Sequence, residues 1–221
     1  MQQTITHNHP QYRRKWRRAG DNKYNGAYFY SQEICKYFIP TVKTTRSWIT
    51  INIPGAATDH AIVFIHNNLN PEKYDWLKEY KDLVLVCGIP ETVPKVAHLG
   101  KAIYLPLSID IEEVQKYRRP KTKKAVYVGR PTKRKNAKFP EPVDFIEGMP
   151  RQKLLETIAE YETVYAVGRC ALEAKALDAT IGIYDPRFPE DRWKLLDSKE
   201  AAIILQEELD KIDNPGGRKS P

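Results

Sequence analysis

Ala125-Val126-Tyr127-Val128-Gly129-Arg130 decides the fold: four largely apolar residues, then a glycine and a cation. A short run that is apolar on both faces and closes on a turn residue reads as a strand inside a parallel sheet. The pattern recurs on either side. Downstream come a polar, proline-spaced loop (Pro131 to Gly148), a helix (Arg151 to Tyr161), a strand (Val164 to Val167), a helix (Cys170 to Leu177) and a strand (Thr180 to Tyr184). Upstream are strand-like runs at Ser47 to Ile53, Ala61 to Ile65, Leu83 to Cys87 and Ala102 to Leu105. Helical stretches surround them at Ser31 to Phe38, Pro71 to Tyr80, Glu91 to Leu99 and Ile111 to Tyr117. Asp197-Ser198 caps a last helix, with Ala202, Leu205, Leu209 and Ile212 on one face. Strands alternating with helices specify an α/β protein, as one doubly wound sheet or as two small lobes with Rossmann-like parallel sheets.

Ligands of such sheets bind at the carboxyl ends of the strands, so the residues just after each strand are the candidates. Gly129 lets the backbone turn and a ligand approach closely; Arg130 and Lys135 follow it as cations suited to a diphosphate. Gly168-Arg169 leads into a helix whose first turn offers free N–H groups to a phosphate. Glu173, one turn inside, is placed to accept both hydroxyls of a ribose. Each also has an ordinary explanation on its own: Gly-Arg is common after a strand, and Glu173 can be a surface helix residue.

The 221 residues carry a net charge of +8, unevenly placed. Residues 1–40 hold seven basic and two acidic side chains, and residues 118–138 hold ten basic and none acidic, so the rest of the chain is acidic. Two concentrated basic segments point to an anionic partner, a polyphosphate or a nucleic acid. In the first, Arg13, Arg14, Lys15, Trp16, Arg17 and Arg18 interleave a ring with cations, a composition suited to phosphate contact and base stacking, or else to a solvated tail. Apolar residues make up 41%, which excludes global disorder. The longest apolar run, Leu83 to Ile89, is far short of the roughly 20 residues of a membrane span. Three scattered cysteines (Cys35, Cys87, Cys170) have neither metal nor redox spacing and read as reduced thiols. The expectation is a soluble cytoplasmic protein without a disulfide framework, metal or prosthetic group.

Four motifs, in order, resemble the nucleotide-sugar-binding half of the retaining GT-B glycosyltransferases. Leu105-Pro106-Leu107-Ser108-Ile109-Asp110 is similar to the I-P-N-G-V-D segment entering that half. Val128-Gly129-Arg130 with Lys135 resembles the V-G-R-x4-K diphosphate clamp. Gly168 with Glu173-Ala174 resembles the glycine and second glutamate of E-x7-E, and Thr180 to Asp185 the strand that follows. Tyr165 stands where the first glutamate would be, and Asp178 where the helix motif closes on glycine.

The resemblance implies a compact two-lobe GT-B-like architecture: an arm (1–22), an acceptor-side lobe (23–110), a donor-nucleotide lobe (111–213) and a disordered tail (214–221). It implies a nucleoside-diphosphate sugar as co-substrate, with Gly129, Arg130, Lys135, Gly168, Arg169 and Glu173 binding the donor and His66 as the catalytic candidate. A small basic enzyme suggests an anionic acceptor, and DNA with a hydroxyl-bearing modified base is the expected one, held through segments 12–18 and 118–138. The alternative is a GT-B-like nucleotide- or nucleic-acid-binding protein without catalysis.

Overall fold

The computed structural model describes residues 26–49, 57–65, 71–129 and 137–214. The described residues form two units, one from residues 29–107 and 198–214, the other from residues 26–28 and 108–197. Each contains a four-stranded, wholly parallel sheet, so the fold is α/β and Rossmann-like.

The first sheet has the order β1 (Ser47–Ile49), β2 (Ala61–Ile65), β3 (Leu83–Cys87), β4 (Lys101–Tyr104), so every crossover steps the same way. Crossovers of one hand that all step in one direction pile onto one face. The 3-10 helix Pro71–Glu79 and the short helix α2 (Val93–Val96) do so: Tyr74, Leu77 and Val96 pack with Val63, Ile65, Leu83, Leu85 and Cys87. The helix at 71–79 takes the 3-10 form because its inward residues Tyr74, Leu77 and Tyr80 recur every third position, the spacing at which 3-10 side chains eclipse.

Among the described residues, the other face, carrying Trp48 and Phe64, has no crossover helix. Helix α1 (Gly26–Glu33), continued through a π-helical stretch (Ile34–Phe38) and a final turn (Ile39–Thr41), covers it. Phe64 lies 5.9 Å from Tyr30, 5.8 Å from Phe38 and 6.1 Å from Trp48, ring centre to ring centre.

The second sheet has the order β6 (Asp144–Ile146), β5 (Lys123–Val128), β7 (Tyr161–Tyr165), β8 (Thr180–Gly182). From β5 the chain steps one way to β6, then returns past it to β7 and β8. Helices α4 (Arg151–Ile158) and α5 (Arg169–Ala176) bridge the later steps and pack together. The opposite face is closed by Phe139 and Val143 from the β5–β6 connection, over Tyr127 and Tyr165. A short helix, α3 (Ile111–Gln115), opens the unit with Asp110 as its cap, accepting from Glu113 N at 3.1 Å.

Three expectations need correcting. Strand β6 lies in the stretch expected to be loop; only Ile146 of its three residues is buried, so no hydrophobic pattern marks it. Strand β7 begins at Tyr161 rather than Val164, because the Tyr161 ring is buried and its hydroxyl donates to Asp144 Oδ2 at 2.8 Å. The last helix, α6 (Ser198–Asp213), assigned by sequence to the second lobe, belongs to the first unit. It packs on the π-helical stretch through a buried face of Ala201, Ala202, Leu205 and Leu209. Buried Ser198 Oγ donates to Glu33 Oε2 at 2.8 Å, and Lys101 Nζ caps the far end on Ile212 O at 3.2 Å. The one-way first sheet leaves a face that its own crossovers cannot cover, and α6 backs the helix that covers it. Among the described residues no helix is long and apolar enough to cross a membrane.

Candidate functional site

Neighbouring strands whose connections leave in opposite directions open a crevice at their carboxyl ends, and β5 and β7 are such a pair. Gly129 follows β5 and Gly168 follows β7, so the structure brings the two sequence-predicted glycines to the two sides of this switch point.

Gly168 adopts φ 67° and ψ −138°, a region open essentially to glycine alone, and this turn launches α5. Arg169 is the first residue of that helix. Its Nε donates to Glu173 Oε1 at 2.8 Å, one turn on, with both side chains buried (8% and 3% exposed). Arg151, the first residue of α4, joins from the neighbouring helix, its Nε and Nη2 each 3.1 Å from the same oxygen. Two guanidiniums thus converge on one carboxylate oxygen. Oε2 makes no hydrogen bond to the described residues. Glu173 is therefore a buried acceptor rather than a surface helix residue.

Arg151 escaped the sequence reading. Its signal is position: a cation in the first turn opposes the helix dipole, and neither α4 nor α5 has an acid there. Both helices open on an arginine whose partner is Glu173.

On the other face, Phe145, Tyr127, Tyr165 and Gly182 occupy one row across the four strands. Phe139 stands 5.6 Å from Tyr127 and 5.1 Å from Tyr165, and Tyr184 is 5.1 Å from Tyr127. The layer explains two glycines without a ligand. A Cβ at 129 would stand 2.6 Å from the Tyr127 hydroxyl, and one at 182 would collide with the Tyr165 ring. The Tyr165 hydroxyl donates to Glu141 Oε1 at 3.0 Å, and burial, then Glu141, raises its pKa. The residue in the place of the first motif glutamate is thus built into the packing. Burial, then neighbouring Tyr127, pushes the Tyr184 phenol up as well.

The basic segment 118–138 divides. Arg118 pairs with Asp178 (2.9 Å), Arg119 and Lys123 with Glu160 (3.3 and 2.8 Å) and Lys124 with Glu162 (2.8 Å). Lys121 Nζ donates to Ala159 O (2.9 Å) and Leu177 O (2.6 Å), the ends of α4 and α5, and burial lowers its pKa. These five cations are engaged at the amino end of the sheet, away from the switch point, four with three carboxylates and Lys121 with carbonyls. Lys138, beyond β5, is exposed.

Arg130 and Lys135, His66, and the arm residues Arg13, Arg14, Lys15, Trp16, Arg17 and Arg18 lie outside the described residues. Burial pushes the Cys87 and Cys170 thiols up to about 12 and raises Cys35, so the thiols stay protonated at neutral pH. Among the described residues no three His, Cys, Asp or Glu side chains are grouped to hold a metal ion. No known family matches the chain, and neither a curated protein nor a solved structure matches it.

Proposed function

We propose that this chain binds a nucleoside-diphosphate sugar at the β5–β7 crevice and transfers the sugar to an acceptor hydroxyl. The observation that supports this best is the switch point itself, with Gly168 in a glycine-only conformation and Arg151, Arg169 and Glu173 gathered behind it. In this reading Glu173 Oε2 takes a ribose hydroxyl. Arg130 and Lys135, which follow β5 in the sequence, hold the diphosphate, and Arg151 adds a third cation. Negative charge growing on the leaving diphosphate meets cations already in place, and losing one such group costs on the order of 10²–10³ in rate. The acceptor proposed is DNA with a hydroxyl-bearing base flipped from the stack, gripped by Arg13, Arg14, Lys15, Trp16, Arg17 and Arg18.

A second reading, a nucleotide- or nucleic-acid-binding protein without turnover, is favoured by Tyr165: its hydroxyl is tied to Glu141 where the resemblance would put a glutamate. Thermal shift against UDP, GDP, CDP, ADP and their common sugars decides whether a nucleotide binds. At 100 times the dissociation constant the right one adds about 2.7 kcal/mol. That gain should vanish in Arg130→Ala. Stabilisation with release of nucleoside diphosphate supports transfer, stabilisation alone supports the binder, and no shift with any nucleotide refutes both nucleotide readings. Deleting residues 1–20 should weaken DNA binding and flatten its salt dependence; unchanged binding would remove DNA from the proposal.

A further inference from the structure

Far from the β5–β7 crevice in the chain, within the first unit, three turns lead into three adjacent strands: residues 44–46 into β1, 59–60 into β2 and 81–82 into β3. Backbone bonds tie them together, Ser47 N to His60 O (3.1 Å) and His60 N to Lys81 O (2.9 Å). Across these turns the side chains make a line. Asp82 Oδ2 is 2.6 Å from His60 Nδ1, and His60 Nε2 is 2.9 Å from Thr45 Oγ1. Arg46, only 3% exposed, steadies the carboxylate: it donates to Asp82 O (2.8 Å) and Asp82 Oδ1 (3.2 Å), and to Asp213 (2.7 Å). His60 and Asp82 both sit at positive φ, 56° and 52°, uncommon for residues with a side chain.

The His60 imidazole, and after it Arg46, lowers the Asp82 pKa below the ordinary carboxylate range. An ionised carboxylate only accepts, so Nδ1 of His60 donates to Asp82; in the tautomer with its one proton there, Nε2 presents its lone pair to the Thr45 hydroxyl. Nucleophile, base and orienting carboxylate in hydrogen-bond reach, each on the appropriate nitrogen, are the geometric signature of an activated hydroxyl. Thr45 lines a groove of about 530 Å³, with Lys43, Asp210, Asp213 and Asn214 among its walls. That size suits a small organic ligand. The Thr45 amide makes no hydrogen bond to the described residues and lies beside its own Oγ1, where an oxyanion would need a donor.

We infer that Thr45, His60 and Asp82 form a nucleophile–base–carboxylate chain that transfers the acyl group of a short-chain carboxylic ester. Thr45 Oγ1 bonds to the ester carbonyl carbon as its proton passes to His60 Nε2. The C–O bond to the alcohol then breaks, and the leaving oxygen takes that proton from His60. Water, deprotonated by His60, attacks the acyl-threonine, freeing the acid and returning the proton to Thr45. No redox partner is needed. The backbone bonds and Arg46 already tie the three turns, so a purely structural bracket leaves the Thr45 hydroxyl without a task.

The test is p-nitrophenyl acetate on the full chain, following nitrophenol release and locating the acetyl group by peptide mass spectrometry after acid quench. Label on Thr45 is expected, retained at residue 45 in Thr45→Ser. Release should fall about a hundredfold in Thr45→Ala and His60→Gln, the scale of lost acid–base assistance. Melting temperatures of the variants separate loss of chemistry from loss of fold. Label found only on lysines or cysteines, or release from Thr45→Ala as fast as from the parent, overturns the assignment.

Discussion

The two sheets have four strands each, yet they are wound differently. In the first, β1 to β4 follow in order, so crossovers stack on one face and chain from elsewhere, α1 backed by α6, must close the other. In the second, the step from β5 to β6 runs against the later ones, so helices close one face and a loop bearing Phe139 closes the other. A loop covers less area than a helix, and the second sheet compensates with large rings whose hydroxyls then require Glu141 and Asp144. The one-way sheet has a continuous apolar core, with β2 and β3 buried at every position. The two-way sheet has a crevice and a buried charge cluster. Winding direction decides which sheet can hold a polar ligand at its carboxyl end.

Two substitutions set the sheets against each other. Phe64→Ala removes the ring that joins α1 to the first sheet and should cost about 3–5 kcal/mol by cavity formation. Glu173→Ala leaves Arg151 and Arg169 without their carboxylate and should cost about the same, 3–5 kcal/mol, for an electrostatic reason. Urea unfolding measures both. Added pyrophosphate should restore part of the Glu173→Ala loss and none of the Phe64→Ala loss; a Glu173→Ala protein as stable as the parent would break the comparison.

Gly168→Ala comes next, forcing a Cβ into a glycine-only turn at a cost of about 1–3 kcal/mol by the same assay. An unchanged midpoint would mean the turn relaxes freely. The smallest effect is alkaline. Burial raises the Tyr161 pKa to about 12, with Tyr165 and Tyr184 also raised, all three in the second unit. A phenol that stays neutral in the fold but ionises once unfolded contributes stability that is complete below its ordinary pKa near 10 and is lost as pH rises through the folded value. Tyrosinate absorbance should therefore show a late fraction among the 13 tyrosines. A single smooth step near pH 10 would contradict the aromatic layer.

Much of the fold was legible because it rests on short-range pattern. Strands β2 and β3 begin and end where their apolar runs do. Gly168 and Glu173 could be read from their distance to a strand end. The missing parts depend on partners remote in sequence. The carboxylates that pair with four of the five cations in residues 118–124 are Glu160, Glu162 and Asp178, tens of residues away, so the run read as free charge. The apolar stripe of α6 was visible, but a stripe says only that a helix packs, not against what. Strand β6 has no stripe: its register comes from β5, with Phe145 beside Tyr127. Arg151 was hidden for the same reason, since nothing near it in the chain announces Glu173.

The return of α6 has a consequence for synthesis. Residues 108–197 are inserted between two pieces of the first unit, and their ends meet, Ile109 bridging to Asp197 and donating from its N to Leu196 O at 3.1 Å. On the ribosome the lobe begun first is completed last: its α1 helix waits for the whole inserted lobe, about 90 residues, before α6 emerges to back it. Both strands and helices of the inserted sheet lie within these residues, so it can close as soon as they clear the exit tunnel. A nascent chain stalled just before Ser198 would thus carry a finished passenger on an unfinished host.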